Sequence, residues 1–346
     1  MTNDKKIRVG ISIGDLNGIG AEIILKSFED SRMFEFCTPV VYGSFKLMTY
    51  FKKHFSSKVN LFDYKNVKNI SSNKMNVVTV WRDSVTINFG QEDPNVGKFA
   101  IKSLKAAVAA LKNREIDVLV TAPINKFNSQ AEDFKFPGHT DYLAQELEGK
   151  SLMFMVSDAL KVGLLTDHVP VKDVPQHITK ELIQSKVKTI TKSLKEDFRI
   201  TKPKIAVLSI NPHAGDQGVI GMEDDELLKP TLEELRSHNH LVYGPYAADS
   251  FFGNKTYKNF DAVIASYHDQ GLIPFKTITF GEGVNYTAGL SRVRTSPDHG
   301  TAYEIAGQGV ADEGSFKKAI FMAIRIFKNR SEYQHYTKNP LVASQE

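Results

Sequence analysis

The chain is poor in cysteine, in long apolar runs and in charge of one sign, and each shortage removes a class of protein from consideration. Cys37 is the single cysteine among 346 residues, so no disulfide can form within the chain and a secreted, cross-linked scaffold is excluded. No apolar stretch approaches the length that spans a bilayer. The segment from Met1 to Lys6 leads straight into a strand-like run without the apolar core of a signal peptide. A reducing, cytoplasmic setting is the expectation. Lys and Arg total 44 against 40 Asp and Glu, a formal net charge of +4. The lysines are scattered without interleaved aromatics, so neither nucleic acid nor membrane is an expected partner. A modest positive balance suits a small anionic substrate. Hydrophobic residues make up 41% of the chain, enough for one large or two medium domains.

What is present is alternation. Short apolar runs at 8–13, 40–42, 117–120, 204–210 and 261–266 read as strands, and amphipathic stretches at 21–28, 96–111, 179–194 and 223–236 as helices. Apolar strands between such helices predict a mostly parallel sheet covered on both faces. A last helix is expected to take Ser315 as its cap and to bury Phe316, Ile320, Ile324 and Phe327 along one stripe.

Three histidines follow strand-like runs: His168 in Asp167-His168-Val169-Pro170, His213 in Asn211-Pro212-His213-Ala214-Gly215, and His268 in Tyr267-His268-Asp269-Gln270-Gly271. An α/β sheet delivers its strand carboxyl ends to one edge, so the three side chains can converge. Three imidazoles leave a coordination position free for water or substrate, and suit Zn or Co better than Mg. A single histidine in that place is ordinarily a turn or capping residue.

Three further clusters carry polar chemistry. Gly14-Asp15-Leu16-Asn17-Gly18-Ile19-Gly20-Ala21-Glu22 follows a strand and opens a helix, where free amides can hold an anion or a cofactor edge. Its spacing is not the Gly-x-Gly-x-x-Gly of an ordinary dinucleotide fold. Phe136-Pro137-Gly138-His139-Thr140-Asp141 leads into a helical pattern that Thr140 or Asp141 can cap, and Lys126 ends the preceding Thr121-Ala122-Pro123-Ile124-Asn125 strand end. Lys276, Asn285, Arg292 and Arg294 lie in a Gly-rich region and together can surround a phosphate. Each also has a bland reading as a solvated loop residue.

These motifs, with Arg294-Thr295-Ser296-Pro297-Asp298-His299-Gly300-Thr301-Ala302, occur in an order that resembles the 4-hydroxythreonine-4-phosphate dehydrogenase family over nearly the whole chain. The resemblance implies a two-domain α/β/α architecture like the isocitrate and isopropylmalate dehydrogenases, not an ordinary Rossmann fold. One domain is expected at 1–125 with 291–346, and the other at 126–290. The resemblance also implies His168, His213 and His268 as ligands of a divalent ion (Zn, Co, Mn or Mg). It makes His139, Thr140, Lys276, Asn285 and Arg294 substrate contacts. Asp249, Asp269 and Lys276 are the candidate catalytic residues, and Asp15, Gly18, Gly20, His299, Gly300, Thr301 and Ala302 line a groove for NAD or NADP. Leu16, Asn17 and Ala21 depart from the family's usual Pro, Ala and Pro. A homodimer with its active site at the subunit interface is implied as well. The implied reaction is oxidation of 4-phosphohydroxy-L-threonine and decarboxylation to 3-amino-2-oxopropyl phosphate, in pyridoxal phosphate synthesis. A dehydrogenase of erythronate or threonate 4-phosphate, and a non-catalytic metal and phosphate-ligand binding protein, are the alternatives.

Overall fold

Apolar runs too short for helices and flanked by turn residues extend into strands, and in this computed structural model they do so in two units. Residues 6–64, 70–125, 127–128, 136 and 139–339 are described. Packing divides the chain into Met1–Ser151 with Val284–Ile324, and Leu152–Gly283 with Arg325–Glu346.

In chain order come β1 (Ile7–Ser12), α1 (Gly20–Ser27), α2 (Met33–Phe36), β2 (Cys37–Gly43), α3 (Phe45–His54), β3 (Leu61–Tyr64), β4 (Met75–Thr79), α4 (Pro94–Lys112), β5 (Val118–Thr121) and α5 (His139–Glu146). There follow β6 (Gly149–Val156), β7 (Lys161–Leu164), α6 (Val174–His177), α7 (Lys180–Glu196), β8 (Ile205–Leu208), α8 (Lys229–Ser237), β9 (Val242–Tyr246), α9 (Ala248–Gly253), β10 (Ala262–Ala265) and α10 (His268–Ile278). The chain closes with β11 (Val284–Leu290), β12 (Arg294–Pro297) and α11 (Gly314–Tyr336).

The first unit orders its strands β3-β4-β2-β1-β5-β12-β11, parallel except for the β11–β12 pair. The second orders them β6-β7-β10-β8-β9, parallel except for β6–β7. Strands β2, β5, β8 and β10 are buried at every residue, which is why they read as continuous apolar runs. Leu104, Val108, Leu111, Leu119 and Leu143 anchor one core. Val162, Leu164, Leu208, Val263 and Phe275 anchor the other. Each fully buried side chain of this kind contributes roughly 1.5–3 kcal/mol.

Helix starts follow the capping chemistry where a short polar side chain is in reach. Asp93 accepts from Asn95 N–H ahead of Pro94 in α4, and Thr179 accepts from Leu182 N–H at the start of α7. The last helix differs from expectation. It begins at Gly314, whose N–H donates to Asp312 Oδ1 at 2.6 Å, while Ser315, two positions past the cap, donates its Oγ–H to Asp298 Oδ1 at 3.1 Å. Phe316 and Ile320 are fully buried and Ile324 is buried, as expected, but Phe327 is only half-buried. The expected helix at 223–236 is split into a wider π-type turn, Asp224–Leu228, and α8. The expected divisions at 125 and 290 fall at 151 and 283. One reason is that Tyr142, Leu143 and Leu147, in and just after α5, pack into the first core. Residues 325–346 join the second unit, where Arg330 Nε pairs with the buried Asp197 at 2.8 Å.

In each unit the strand order reverses. From β1 the chain builds β2 and β4 to one side and then β5 on the other. From β8 it places β9 outward, then returns to insert β10 between β8 and β7. Such reversals open a crevice at the carboxyl ends of the flanking strands, here β1/β5 and β8/β10.

Candidate active site

In the second unit His168, His213 and His268 stand just past the carboxyl ends of β7, β8 and β10, which are neighbours in the order β7-β10-β8. The rings of His168 and His268 have centroids 6.1 Å apart. His268 Nδ1–H donates to Asp269 Oδ1 at 2.7 Å, a carboxylate contact of the kind that commonly backs a ligating imidazole. His213 is exposed. It lies in a turn where His213, Ala214, Gly215, Asp216 and Gln217 have φ of 52°, 54°, 81°, 45° and 53°. Left-handed backbone costs a non-glycine residue roughly 1–2 kcal/mol, so neighbouring bonds must hold it. The fully buried Asp224 accepts from the N–H groups of Ile210 and Asn211 at 2.8 and 2.9 Å. Ile220 N–H closes on Gly215 O at 3.0 Å.

Among the described residues no three His, Cys, Asp or Glu side chains group closely enough to hold a metal ion. The donor chemistry fits one: imidazoles on three adjacent strand ends, two of them side by side and one backed by a carboxylate. Asp249, in α9, and Asp269 are exposed and share a cavity of about 510 Å³ with Phe252, Tyr267, Gln270 and Ile273. Lys276, on α10, is exposed and stands outside that wall.

In the first unit the glycine-rich loop after β1 meets the segment after β12. Gly14 has φ 75°, and a Cβ there would lie 2.4 Å from Pro123 O, so only glycine fits beside β5. Gly18 would bring a Cβ within 2.9 Å of Thr301 O, and Ile19 N–H donates to that same oxygen at 3.1 Å. Asp15 is buried. Its Oδ1 accepts from Asn17 N–H at 2.9 Å and its Oδ2 from Tyr303 Oη–H at 2.8 Å. Asn128 Nδ2 donates to Tyr303 Oη at 3.0 Å. Burial first, and Asp15 second, push the Tyr303 phenol above its usual range. Gly20 opens α1, and Ala302 takes a left-handed backbone with φ 44°. A side chain at Gly300 would meet open space. His299 Nδ1–H donates to Gly300 O at 3.0 Å, leaving a buried Nε2 with no partner among the described residues.

Arg294, at the start of β12, is 2% exposed. Its Nε and Nη2 donate to Thr121 Oγ1 at 3.1 and 2.5 Å, and its Nη1 to Thr287 Oγ1 at 3.1 Å. No carboxylate pairs with it among the described residues. Burial pushes the guanidinium down to about 9, so it remains charged at neutral pH. Asn285 Oδ1 is buried without a hydrogen-bond partner among the described residues. Helix α5 begins at His139, and the expected capping by Thr140 or Asp141 falls on side chains outside the described residues. The side chains of His139 and Thr140, and all of Lys126, are outside the described residues.

The sequence reading assigned no role to Thr121, Thr287, Tyr303 or Gln270. The available signal was a polar residue ending a wholly apolar strand, as Thr121 ends β5.

Comparison with known proteins gives a consistent result. The family model of the pyridoxal phosphate biosynthetic protein PdxA matches residues 35–323. A 4-hydroxythreonine-4-phosphate dehydrogenase of Bacteroides thetaiotaomicron is 47% identical over 340 residues, 98% of this chain and 93% of that protein. One from Sulfurihydrogenibium sp. is 38% identical over 94% of this chain and 99% of its own. The crystal structure of a 4-hydroxythreonine-4-phosphate dehydrogenase from Burkholderia phymatum is similar at a TM-score of 0.76 and 32% identity, covering 93% of this chain and 99% of that one. A terephthalate 1,2-cis-dihydrodioldehydrogenase from Burkholderia xenovorans LB400 shares the fold, with a TM-score of 0.61 at 22% identity over 93% of this chain and 98% of its own. With a family match over most of its length and relatives this similar end to end, the chain belongs to the PdxA family.

Proposed function

We propose that this chain oxidises 4-phosphohydroxy-L-threonine at its 3-hydroxyl with NAD or NADP in a divalent-metal-dependent reaction, and that the product decarboxylates to 3-amino-2-oxopropyl phosphate. The observation that carries this reading is near full-length similarity to proteins named 4-hydroxythreonine-4-phosphate dehydrogenase. His168, His213 and His268 would hold the ion, and Asp15, Gly18, Gly20 and residues 299–302 would form the dinucleotide groove. When bound, the ion supplies Lewis acidity and the nicotinamide accepts a hydride.

The chain's own residues supply the rest. Arg294, hydrogen-bonded to the Thr121 and Thr287 hydroxyls, would meet an anionic group of the substrate, and by the family resemblance His139, Thr140 and Lys276 are substrate contacts as well. The orphaned Asn285 Oδ1 accepts from a substrate ammonium or hydroxyl. Asp249 or Asp269, exposed at one cavity, takes the proton of the reacting hydroxyl. Oxidation leaves a carbonyl β to the carboxylate. The electron pair of the bond to the carboxylate then moves toward that carbonyl as carbon dioxide departs, and the Lys276 ammonium returns a proton to carbon. A homodimer is part of the same proposal.

The test follows reduced nicotinamide by absorbance, with this substrate and with erythronate and threonate 4-phosphates, using NAD and NADP and several divalent metals. Preferred turnover of the amino-acid phosphate is expected. Preference for a sugar-acid phosphate would replace the substrate, and ligand binding without turnover would replace the enzyme. His213→Ala is expected to lose metal-dependent reduction, and full activity of that variant after chelation would refute the metal role.

A further inference from the structure

Two of the three histidine-bearing strand ends are joined by a single carboxamide. Ser209 and Ser266 are the first residues past β8 and β10, where the chain leaves the parallel ladder. Ser266 N–H donates to Gln270 Oε1 at 2.7 Å, and Gln270 Nε2 donates to Ser209 O at 2.8 Å. The side-chain amide thus stands in for a peptide unit, accepting from one strand end and donating to the other. Ser266 Oγ adds a bond to Ser209 O at 3.2 Å. From β7, Thr166 donates to Ser266 O through both its N–H, at 3.2 Å, and its Oγ1, at 2.7 Å. Thr166, Ser209 and Ser266 are all buried, so water does not readily replace a bond lost among them.

The position of this bridge matters because β8 and β10 flank the strand-order reversal. They meet only after the chain has gone out to β9 and returned, so their ends are not tied by a short connection. His268 lies two residues beyond Ser266, and His213 four beyond Ser209. We propose that Gln270 is a positioning residue that sets the spacing of His213 from His268; this rests on the three-histidine reading above. Both halves of the amide are in use, which separates glutamine from its isosteres. Glutamate keeps an acceptor for Ser266 N–H but turns an anionic oxygen toward Ser209 O. Methionine loses both bonds without adding charge.

The experiment strips the full-length protein with a chelator and titrates it with Co²⁺, reading visible absorption and the melting temperature with and without the ion. The unaltered protein, H213A, Q270E and Q270M are compared. Q270E and Q270M are expected to lose Co²⁺ affinity by roughly 10–100-fold, as partners behind metal ligands typically do, with a smaller change in metal-free melting. Should Q270E fail to fold, Q270M carries the test. A lowered metal-free melting temperature with unchanged Co²⁺ affinity would overturn the inference and leave Gln270 a purely structural residue. If H213A binds Co²⁺ as well as the unaltered protein, the three-histidine reading fails and this inference with it. If H213A weakens and the Gln270 variants do not, only this inference falls.

Discussion

Thr121→Val is the sharpest perturbation of the first unit, because it changes one oxygen and almost no shape. Thr121 is fully buried, and its hydroxyl accepts from both Nε and Nη2 of Arg294. Valine leaves those two donors facing a methyl group inside the protein. A hydrogen bond to a charged group is worth about 1.5–3 kcal/mol, and a stranded buried donor adds desolvation cost. The expected loss is therefore about 3 kcal/mol or more. For a unit of this size each kcal/mol corresponds to about 2–4 °C, so the first unit should melt roughly 6–12 °C lower. Thr121→Ser keeps the oxygen and deletes one methyl group, at a cost of about 1 kcal/mol. Melting is followed by circular dichroism and calorimetry, with Arg294→Met and the double variant completing a cycle. Once the charge is gone, valine has nothing to strand, so the double variant should regain much of the loss. Equal melting of the Val and Ser variants, or simple additivity in the cycle, would refute the reasoning.

Two other outcomes are expected. Tyr303→Phe removes the phenol that donates to Asp15 and accepts from Asn128. It should cost about 1–2 kcal/mol and raise KM for the dinucleotide more than it lowers kcat; an unchanged dinucleotide KM would detach this network from the cofactor groove. Burial pushes the Cys37 thiol up to about 12 from an ordinary 9.0. An aromatic disulfide reagent should therefore spare the native chain and titrate one thiol after denaturation. Because the unfolded thiol ionises first, its effect on stability is nil below the ordinary value and becomes a growing loss as pH rises toward 12. Cys37→Ala should flatten that alkaline decline in denaturation midpoint, and rapid labelling of the native protein would contradict the burial argument.

The alternation of apolar strands and amphipathic helices was legible, as was the placement of three histidines after strands. Sheet order was not. The chain presents its histidines as 168, 213 and 268, but the strands behind them lie as β7-β10-β8, an order fixed by long-range packing that no local window carries. Helix α10 went unread because Pro274 sits inside it, and a proline there argues locally against a helix. β3 is half-buried at every residue, so it shows neither a solid apolar run nor clean alternation. At the last helix Asp312 reaches the first free N–H before Ser315 can, a competition that depends on distances and not on residue type. For the site, titratable residues stood out by chemistry. Their neutral supports, Thr121, Thr287 and Gln270, did not, because hydroxyls and amides are common everywhere and acquire meaning only from what they face.

The backbone around His213 winds against the hand that L-amino acids favour. Bulky β-branched side chains at 214, 216 or 217 would close off that mirror-image path, whereas glycine would enter it freely. Chirality, more than hydrophobicity, therefore limits which amino acids this stretch can accept. Evolutionary or engineered change there should be confined to small or flexible side chains even though most of its surface is open to water.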